Sequence, residues 1–441
     1  MNTLAELRSG ALLGSRRLRL SCGLQSFPEE IFTLADTLEI LDLSGNQLSA
    51  LPDDLHRLQH LRIVFCSDNQ FTQLPEVLGQ CPQLSMIGFK ANRIETVPAA
   101  ALPPQLRWLI LTDNRVSRLP PELGRCSQLQ KLMLAGNRLT GLPPEMAACT
   151  RLELIRIAAN QFAELPDWLL NLPRLSWLAY AGNPFSAPHE ASEFVAAAAI
   201  GSVDWAELVL KQQLGEGASG VIHQAVWQTA ANDVAVKIFK GALTSDGLPH
   251  NEMNACLAAG EHLNLIPVLG RIDRHPEGAE GLVMALIDPA YVNLAGPPSL
   301  DSCTRDVYAP DLVLTLPMVI RLAHGIASVA AQLHGRGIMH GDLYGHNILR
   351  CEQGHPVLGD FGAASFYDPA DLPSAEALQR IEVRAFACLL EELLQRCPPA
   401  AEHAALWALQ ARCMSENPTE RPLFTEILAV LGECSETRQI P

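Results

Sequence analysis

The stretch LEILDLSGN, residues 38–46, alternates leucine with other residues and stops at an asparagine. The pattern returns as LRWLILTDN at 106–114 and LQKLMLAGN at 129–137. Its closing asparagines, Asn46, Asn69, Asn92, Asn114, Asn137, Asn160 and Asn183, stand 22 or 23 residues apart. Six residues beyond each of the first six comes a proline: Pro52, Pro75, Pro98, Pro120, Pro143 and Pro166. A weaker copy, LRLSCG leading to Phe27 and Pro28, sits one period earlier. Repetition at this period marks a solenoid whose units bury their leucines only by stacking. The L-x-L core predicts a short strand with one face inward. Each asparagine amide donates and accepts at once, which suits a turn whose backbone groups would otherwise lack partners.

This motif, L-x-x-L-x-L-x-x-N, resembles the leucine-rich repeat family over roughly residues 15–190, and the solenoid with its capping segments is expected to fill 1–190. Cys81, Cys126 and Cys149 each precede a repeat-opening leucine by three residues and read as small apolar fillers. The third and fifth motif positions alternate with the buried leucines and should face the concave side. They include Phe65, Trp108, Ile110, Met133 and Trp177. So much contiguous apolar area predicts a contact surface for a protein partner or substrate, or for the neighbouring domain, with Trp108 and Trp177 as anchors. After Asn183 the repeat fails, and alanine-rich 190–200 predicts a closing helix within a linker at 191–204.

The 441 residues call for two or three domains, and 48% apolar residues suffice for packed cores. Net charge is −3 before residue 205 and −13 from there onward. Neither half carries the basic stripe that a phosphate backbone requires, which argues against nucleic acid. The basic cluster near the N-terminus follows a short apolar stretch, the reverse of a secretory signal, and no uninterrupted apolar run is long enough to span a bilayer. Twelve cysteines without a CxxC pair then read as thiols in a reducing cytoplasm.

The second half changes character. LGEGASGVIHQAVW (214–227) carries Gly215, Gly217 and Gly220 between two strand-like runs, which suggests a hairpin over phosphates rather than a loop opening a helix. DVAVKIF (233–239) alternates as a strand, yet places Lys237 among valines and isoleucine, an odd choice without an anion to meet. HGDLYGHNIL (340–349) holds Asp342 five residues ahead of Asn347, and GDFG brings Asp360.

In this order the motifs resemble the protein kinase family, over about 205–432, with the domain expected at 205–436. The fold class is therefore an α/β leucine-rich repeat solenoid followed by an α+β bilobal protein kinase-like domain. The arrangement looks like a cytoplasmic, bacterial-type kinase with leucine-rich repeats. The resemblance implies ATP and Mg²⁺. It places the nucleotide among Leu214, Gly215, Gly217, Gly220, Ile222, Ala235, Met284 (the gatekeeper) and Leu286. Lys237 would hold phosphates and pair with Glu252 rather than Glu261. Asp342 would accept the proton of the attacking hydroxyl, and Asn347 and Asp360 would bind the metal. Glu382 stands where the family usually has an aspartate, and Arg421 is the arginine of its closing P-x-x-R-P element, with Glu376 as a partner.

Three departures stand out. Gly341 replaces the arginine that reads a phosphorylated activation loop, and Tyr344 replaces a lysine that steadies the γ-phosphate. His346 takes the slot where tyrosine kinases carry an arginine, useful there as a cation or through a neutral N–H. The activation segment is short and lacks A-P-E, so the peptide platform is in doubt, and Ser365, Tyr367 and Ser374 are its hydroxyls for autophosphorylation. The expected function is an ATP-dependent serine/threonine kinase. The alternatives are a nucleotide-binding pseudokinase scaffold and a kinase-fold enzyme acting on a small molecule.

Overall fold

A computed structural model of the chain describes residues 2–190, 201–217, 219–240, 243–244, 246–399 and 403–436. The chain divides into two compact units, Met1–Arg174 and Leu175–Pro441.

In the first unit, helix α1 (Leu4–Arg8) is closed by a capping box, Thr3 with Glu6. Seven three-residue strands follow: β1 (Arg17–Arg19), β2 (Ile40–Asp42), β3 (Ile63–Phe65), β4 (Met86–Gly88), β5 (Trp108–Ile110), β6 (Lys131–Met133) and β7 (Leu154–Arg156). Each pairs in parallel with the next, one motif on, as Ile40 with Ile63 and Ile63 with Met86. Their central residues, from Leu18 and Leu41 to Leu132 and Ile155, are wholly buried. The prolines do positional work. Pro28, Pro75, Pro98, Pro120 and Pro143 each precede a 3₁₀ turn, and Pro166 precedes helix α2 (Asp167–Leu170). A fixed φ ends the extended segment, and the proline carbonyl receives the first N–H of the turn, as from Leu123 to Pro120 at 3.1 Å.

The asparagine ladder binds coil to coil. Asn114 donates to the carbonyls of Phe89 (2.8 Å) and Leu111 (3.0 Å) and accepts from Ile94 N–H (2.9 Å). Asn137 and Asn160 repeat that set one and two periods on. The residue before each ladder asparagine, from Asn46 to Asn183, has positive φ: Gly45, Asp68, Ala91, Asp113, Gly136, Ala159 and Gly182. Glycine stands at only three of these, so the turn is imposed by the ladder as much as by residue choice. None of the cysteines is in a disulfide. Burial pushes the thiols of Cys81 and Cys126 up to about 11 and that of Cys149 up to about 12, as expected of inert packing groups.

The unit boundary falls earlier than expected. The eighth copy of the motif, with strand β8 (Trp177–Ala179), belongs to the second unit. Of the five residues expected on the concave face, Phe65, Trp108 and Ile110 are half-buried, but Met133 and the expected anchor Trp177 are buried and offer no surface. The predicted closing helix at 190–200 lies almost wholly outside the described residues.

The second unit continues with β9 (Ser202–Asp204), β10 (Leu208–Glu216), β11 (Gly220–Trp227), β12 (Asn232–Phe239), helix α3 (Pro249–Ala258), β13 (Val268–Asp273) and β14 (Gly281–Ala285). These strands form one sheet in the order β10-β11-β12-β14-β13-β9, antiparallel except where β9 lies parallel to β13. The sheet thus begins before residue 205. A mainly helical part follows: β15 (Val292–Asn293), α4 (Leu316–Gly335), β16 (Ile338–Met339), β17 (Ile348–Arg350), β18 (Pro356–Leu358), β19 (Ser365–Phe366), α5 (Leu372–Gln395), α6 (Ala404–Cys413) and α7 (Phe424–Glu436). Among the described residues α4 alone is long and apolar enough to cross a membrane, and 61% of that stretch is buried inside the protein, as befits a core helix.

Candidate active site

Strand β12 sorts its side chains by alternation. Val234 and Val236 pack with Val203, Ala225 and Val283 on one face of the sheet. Ala235 and Phe239 join Met253, Leu257, Leu282 and Met284 on the other, with Ile222, Val268 and Leu286 against them. Lys237 shares that second face, so its ammonium is carried into the cleft and meets Glu252 of α3, both side chains being buried. Burial works against the cation, but the carboxylates of Glu252 and Asp360 outweigh it and hold the Lys237 pKa above its usual value. Glu252, not Glu261, is therefore the partner.

The β10–β11 hairpin closes over this face. Gly217 N–H donates to the Gly220 carbonyl at 2.9 Å. A Cβ on Gly220 would come within 2.5 Å of the Ile238 carbonyl, so the hairpin lies on β12 only because that side chain is missing. Gly215 and Gly217 instead look into open space. One cavity is lined by Gly217, Ile222, Lys237, Glu252, Met284 and Asp360, among others. Leu214, Gly215, Ala235, Leu286, Asp342 and Asn347 do not line it. Ala235 and Leu286 pack against its apolar wall, and Leu214 is exposed on the hairpin.

The loop between β16 and β17 is held from behind. His340 Nε2 meets the Gly359 carbonyl at 3.0 Å, which places the ring proton there and leaves Nδ1 to accept from Asp342 N–H at 3.3 Å. Glu382 of α5 accepts from Gly341 N–H (2.8 Å), His340 N–H (3.3 Å) and the His334 ring (2.7 Å). Burial alone would raise its pKa, but the hydrogen bond and charge of His334, His340 nearby and the Gly341 N–H hold it below the usual carboxylate range. Asn347 spends its amide nitrogen on Asp342, at 2.9 Å to the carbonyl and 2.8 Å to Oδ2, which leaves the amide oxygen for another group. Its own carbonyl accepts from Gly359 N–H at 3.0 Å, tying it to Asp360. Asp360 is exposed and has a φ of 55°, a strained conformation typical of functional positions. An amide oxygen and an exposed carboxylate are hard donors that suit Mg²⁺.

Nothing in the sequence pointed to Asp306. It accepts from His346 N–H at 3.0 Å and holds His346 Nδ1 at 2.7 Å. Burial disfavours the imidazolium, but the hydrogen bond and charge of Asp306, with Asp342 and Asp360 beyond, raise its pKa above the usual value. Asp306 is placed by its neighbours. Arg305 grips Glu392 at 2.5 Å and Glu391 at 2.8 Å, and Tyr308 donates to Glu392 at 2.9 Å.

The activation segment is as short as expected, and α5 takes over at Leu372. Glu376 pairs with Arg380 one turn on at 2.8 Å, while Arg421 donates to the carbonyls of Ser415 and Arg380. Of the three candidate hydroxyls, Ser365 and Tyr367 are buried and hydrogen-bonded, and Ser374 is exposed.

Sequence comparison agrees with the geometry. Residues 208–380 match the protein kinase domain family. The second unit carries a protein kinase domain. Residues 37–58 and 104–162 match leucine-rich repeat families. The kinase domain is similar to that of a probable serine/threonine-protein kinase, gdt4, of Dictyostelium discoideum, at 25% identity over 52% of this chain and 16% of that protein. It is also similar to serine/threonine/tyrosine-protein kinase HT1 of Arabidopsis thaliana, at 23% identity over 53% of this chain and 68% of that one. Serine/threonine-protein kinase PkaA of Streptomyces coelicolor is 26% identical over 48% of this chain and 47% of its own.

Proposed function

We propose that the chain is an ATP-dependent protein kinase that moves the γ-phosphoryl group to a serine or threonine hydroxyl. The closed, buried Lys237–Glu252 pair carries this reading, because it shares a cavity with Asp360. A buried ion pair facing an open cleft is costly unless an anion uses it. In this reading Lys237 takes oxygens of the α- and β-phosphates. Asp342, steadied by Asn347, orients the hydroxyl and accepts its proton as the new oxygen–phosphorus bond forms and the bond from the γ-phosphorus to the bridging oxygen breaks, releasing ADP. Asn347 and Asp360 would hold Mg²⁺, which when bound would offset charge on the phosphates. Protonated His346, the form that its Asp306 partner favours, supplies positive charge that Tyr344 does not.

A second reading, transfer to a small molecule, draws on the activation segment, which leaves no A-P-E platform before α5. The similar proteins of Dictyostelium discoideum and Streptomyces coelicolor are serine/threonine-protein kinases by name, which favours the first reading. Leucine-rich repeats are generally protein-interaction modules, and we assign Trp108, Phe65 and Ile110 to a protein partner or substrate. Lys131 covers the Trp108 ring at 4.3 Å and would have to move aside for an apolar contact. Cysteines without disulfides suit the cytoplasm.

The test supplies labelled ATP and Mg²⁺ with a basic protein, with a set of small hydroxyl compounds, or with neither. Label on protein, lost in Lys237→Met, supports the kinase. Label on a small compound alone favours the second reading. No transfer, with ATP still raising the melting temperature, leaves a nucleotide-binding scaffold and overturns both.

A further inference from the structure

The eighth copy of the repeat motif touches the parts of the site where the sequence departs from the family. Strand β8 is buried throughout. Trp177 donates its indole N–H to the Leu343 carbonyl at 3.2 Å, one residue beyond Asp342. Its ring is stacked on Tyr344, 4.2 Å between centroids and 7° from parallel. Tyr180 holds the activation segment: its N–H donates to Ser365 Oγ at 3.0 Å and its hydroxyl to the Phe366 carbonyl at 3.2 Å. Ser176 Oγ receives Arg384 of α5 at 2.6 Å.

Between these contacts lies Gly341. A Cβ there would stand 2.4 Å from the Ala363 carbonyl and 2.7 Å from the Leu178 carbonyl, and its φ is +72°. No side chain fits while β8 and the Ala363 carbonyl are in place. Two departures of the catalytic loop thus both serve the packing of the eighth motif: Gly341 makes room for the Leu178 carbonyl of the strand as well as for Ala363, and Tyr344 gives Trp177 a flat partner.

We infer that Leu175–Asn183 is a positioning element of the kinase site, with Trp177 and Tyr180 tying the catalytic loop to the activation segment. It does the tethering that a loop arginine would otherwise perform on a phosphorylated segment. The site is therefore set without phosphorylation of that segment. The effect on rate rests on the kinase reading; the tethering does not.

Hydrogen exchange on the full chain tests it, comparing wild type with Trp177→Ala, Trp177→Phe and Tyr180→Phe. In Trp177→Ala, amides of 340–347 and 363–367 should exchange about tenfold faster, while the β10–β14 sheet stays within about twofold. Phosphoryl transfer should lose about tenfold in kcat with KM for ATP nearly unchanged, and Trp177→Phe should recover most of it. Should Trp177→Ala fail to fold, Tyr180→Phe still reads out as faster exchange confined to the activation segment. Unchanged exchange in these loops, or a uniform rise across the unit that Trp177→Phe does not rescue, overturns the inference. A local exchange response in a wild type that transfers no phosphate would instead overturn the kinase reading and leave the tether standing.

Discussion

Gly341→Ala probes how closely the eighth motif and Ala363 pack against the catalytic loop. The new Cβ meets two backbone carbonyls, neither of which can rotate away as a side chain would. Holding alanine at a φ of +72° costs about 1–2 kcal/mol, and overpacking against fixed backbone adds about 1–3 kcal/mol. A total of about 2–5 kcal/mol is a large share of what holds a domain folded. Gly278→Ala is the matched control, since Gly278 also has positive φ, +68°, but nothing stands within 4 Å of an added Cβ. It should cost only the backbone term, about 1–2 kcal/mol. Urea unfolding followed by hydrogen exchange reports the second unit's transition for both variants. If Gly341→Ala is no more destabilising than Gly278→Ala, the Leu178 and Ala363 carbonyls do not crowd the loop, and glycine there needs another explanation.

Other outcomes follow from the same geometry. Glu382→Gln should cost about 3 kcal/mol at neutral pH, because an amide cannot serve as a charged acceptor for Gly341, His340 and His334 together. Since the folded carboxyl lies below its usual range, that stability is present above about pH 4.3 and is lost as pH falls through the folded value. The gap between wild type and variant should therefore shrink in acid, measured as unfolding free energy against pH. Asn114→Ala strands the Ile94 N–H and the Phe89 and Leu111 carbonyls and should cost about 3 kcal/mol in urea unfolding of the first unit. Autophosphorylation within the activation segment, mapped by mass spectrometry, should fall on Ser374 and vanish in Ser374→Ala, because Ser365 and Tyr367 are buried.

The repeat was legible because its period places a donor–acceptor side chain and a proline at fixed offsets, and each has a single structural use. The kinase cleft was legible because Lys237 in an apolar strand and the Asp342–Asn347 spacing are hard to explain otherwise. What escaped was long-range. Alternation alone assigns Trp177 to an outward face, yet its hydrogen-bond partner lies 166 residues on, in the catalytic loop. Asp306 meets His346 across 40 residues with no motif to announce it. The left-handed turns at Ala91 and Ala159 were also hidden, since tertiary bonding overrides a residue preference that favours glycine.

The most direct measurement is a single turnover of wild-type protein with Mg²⁺ and γ-labelled ATP beside Asp342→Asn. An intact site predicts protein-bound label for the wild type and a loss of at least about a hundredfold in the variant. Equal labelling in both, or none in either while ATP still binds, would contradict a working phosphotransferase.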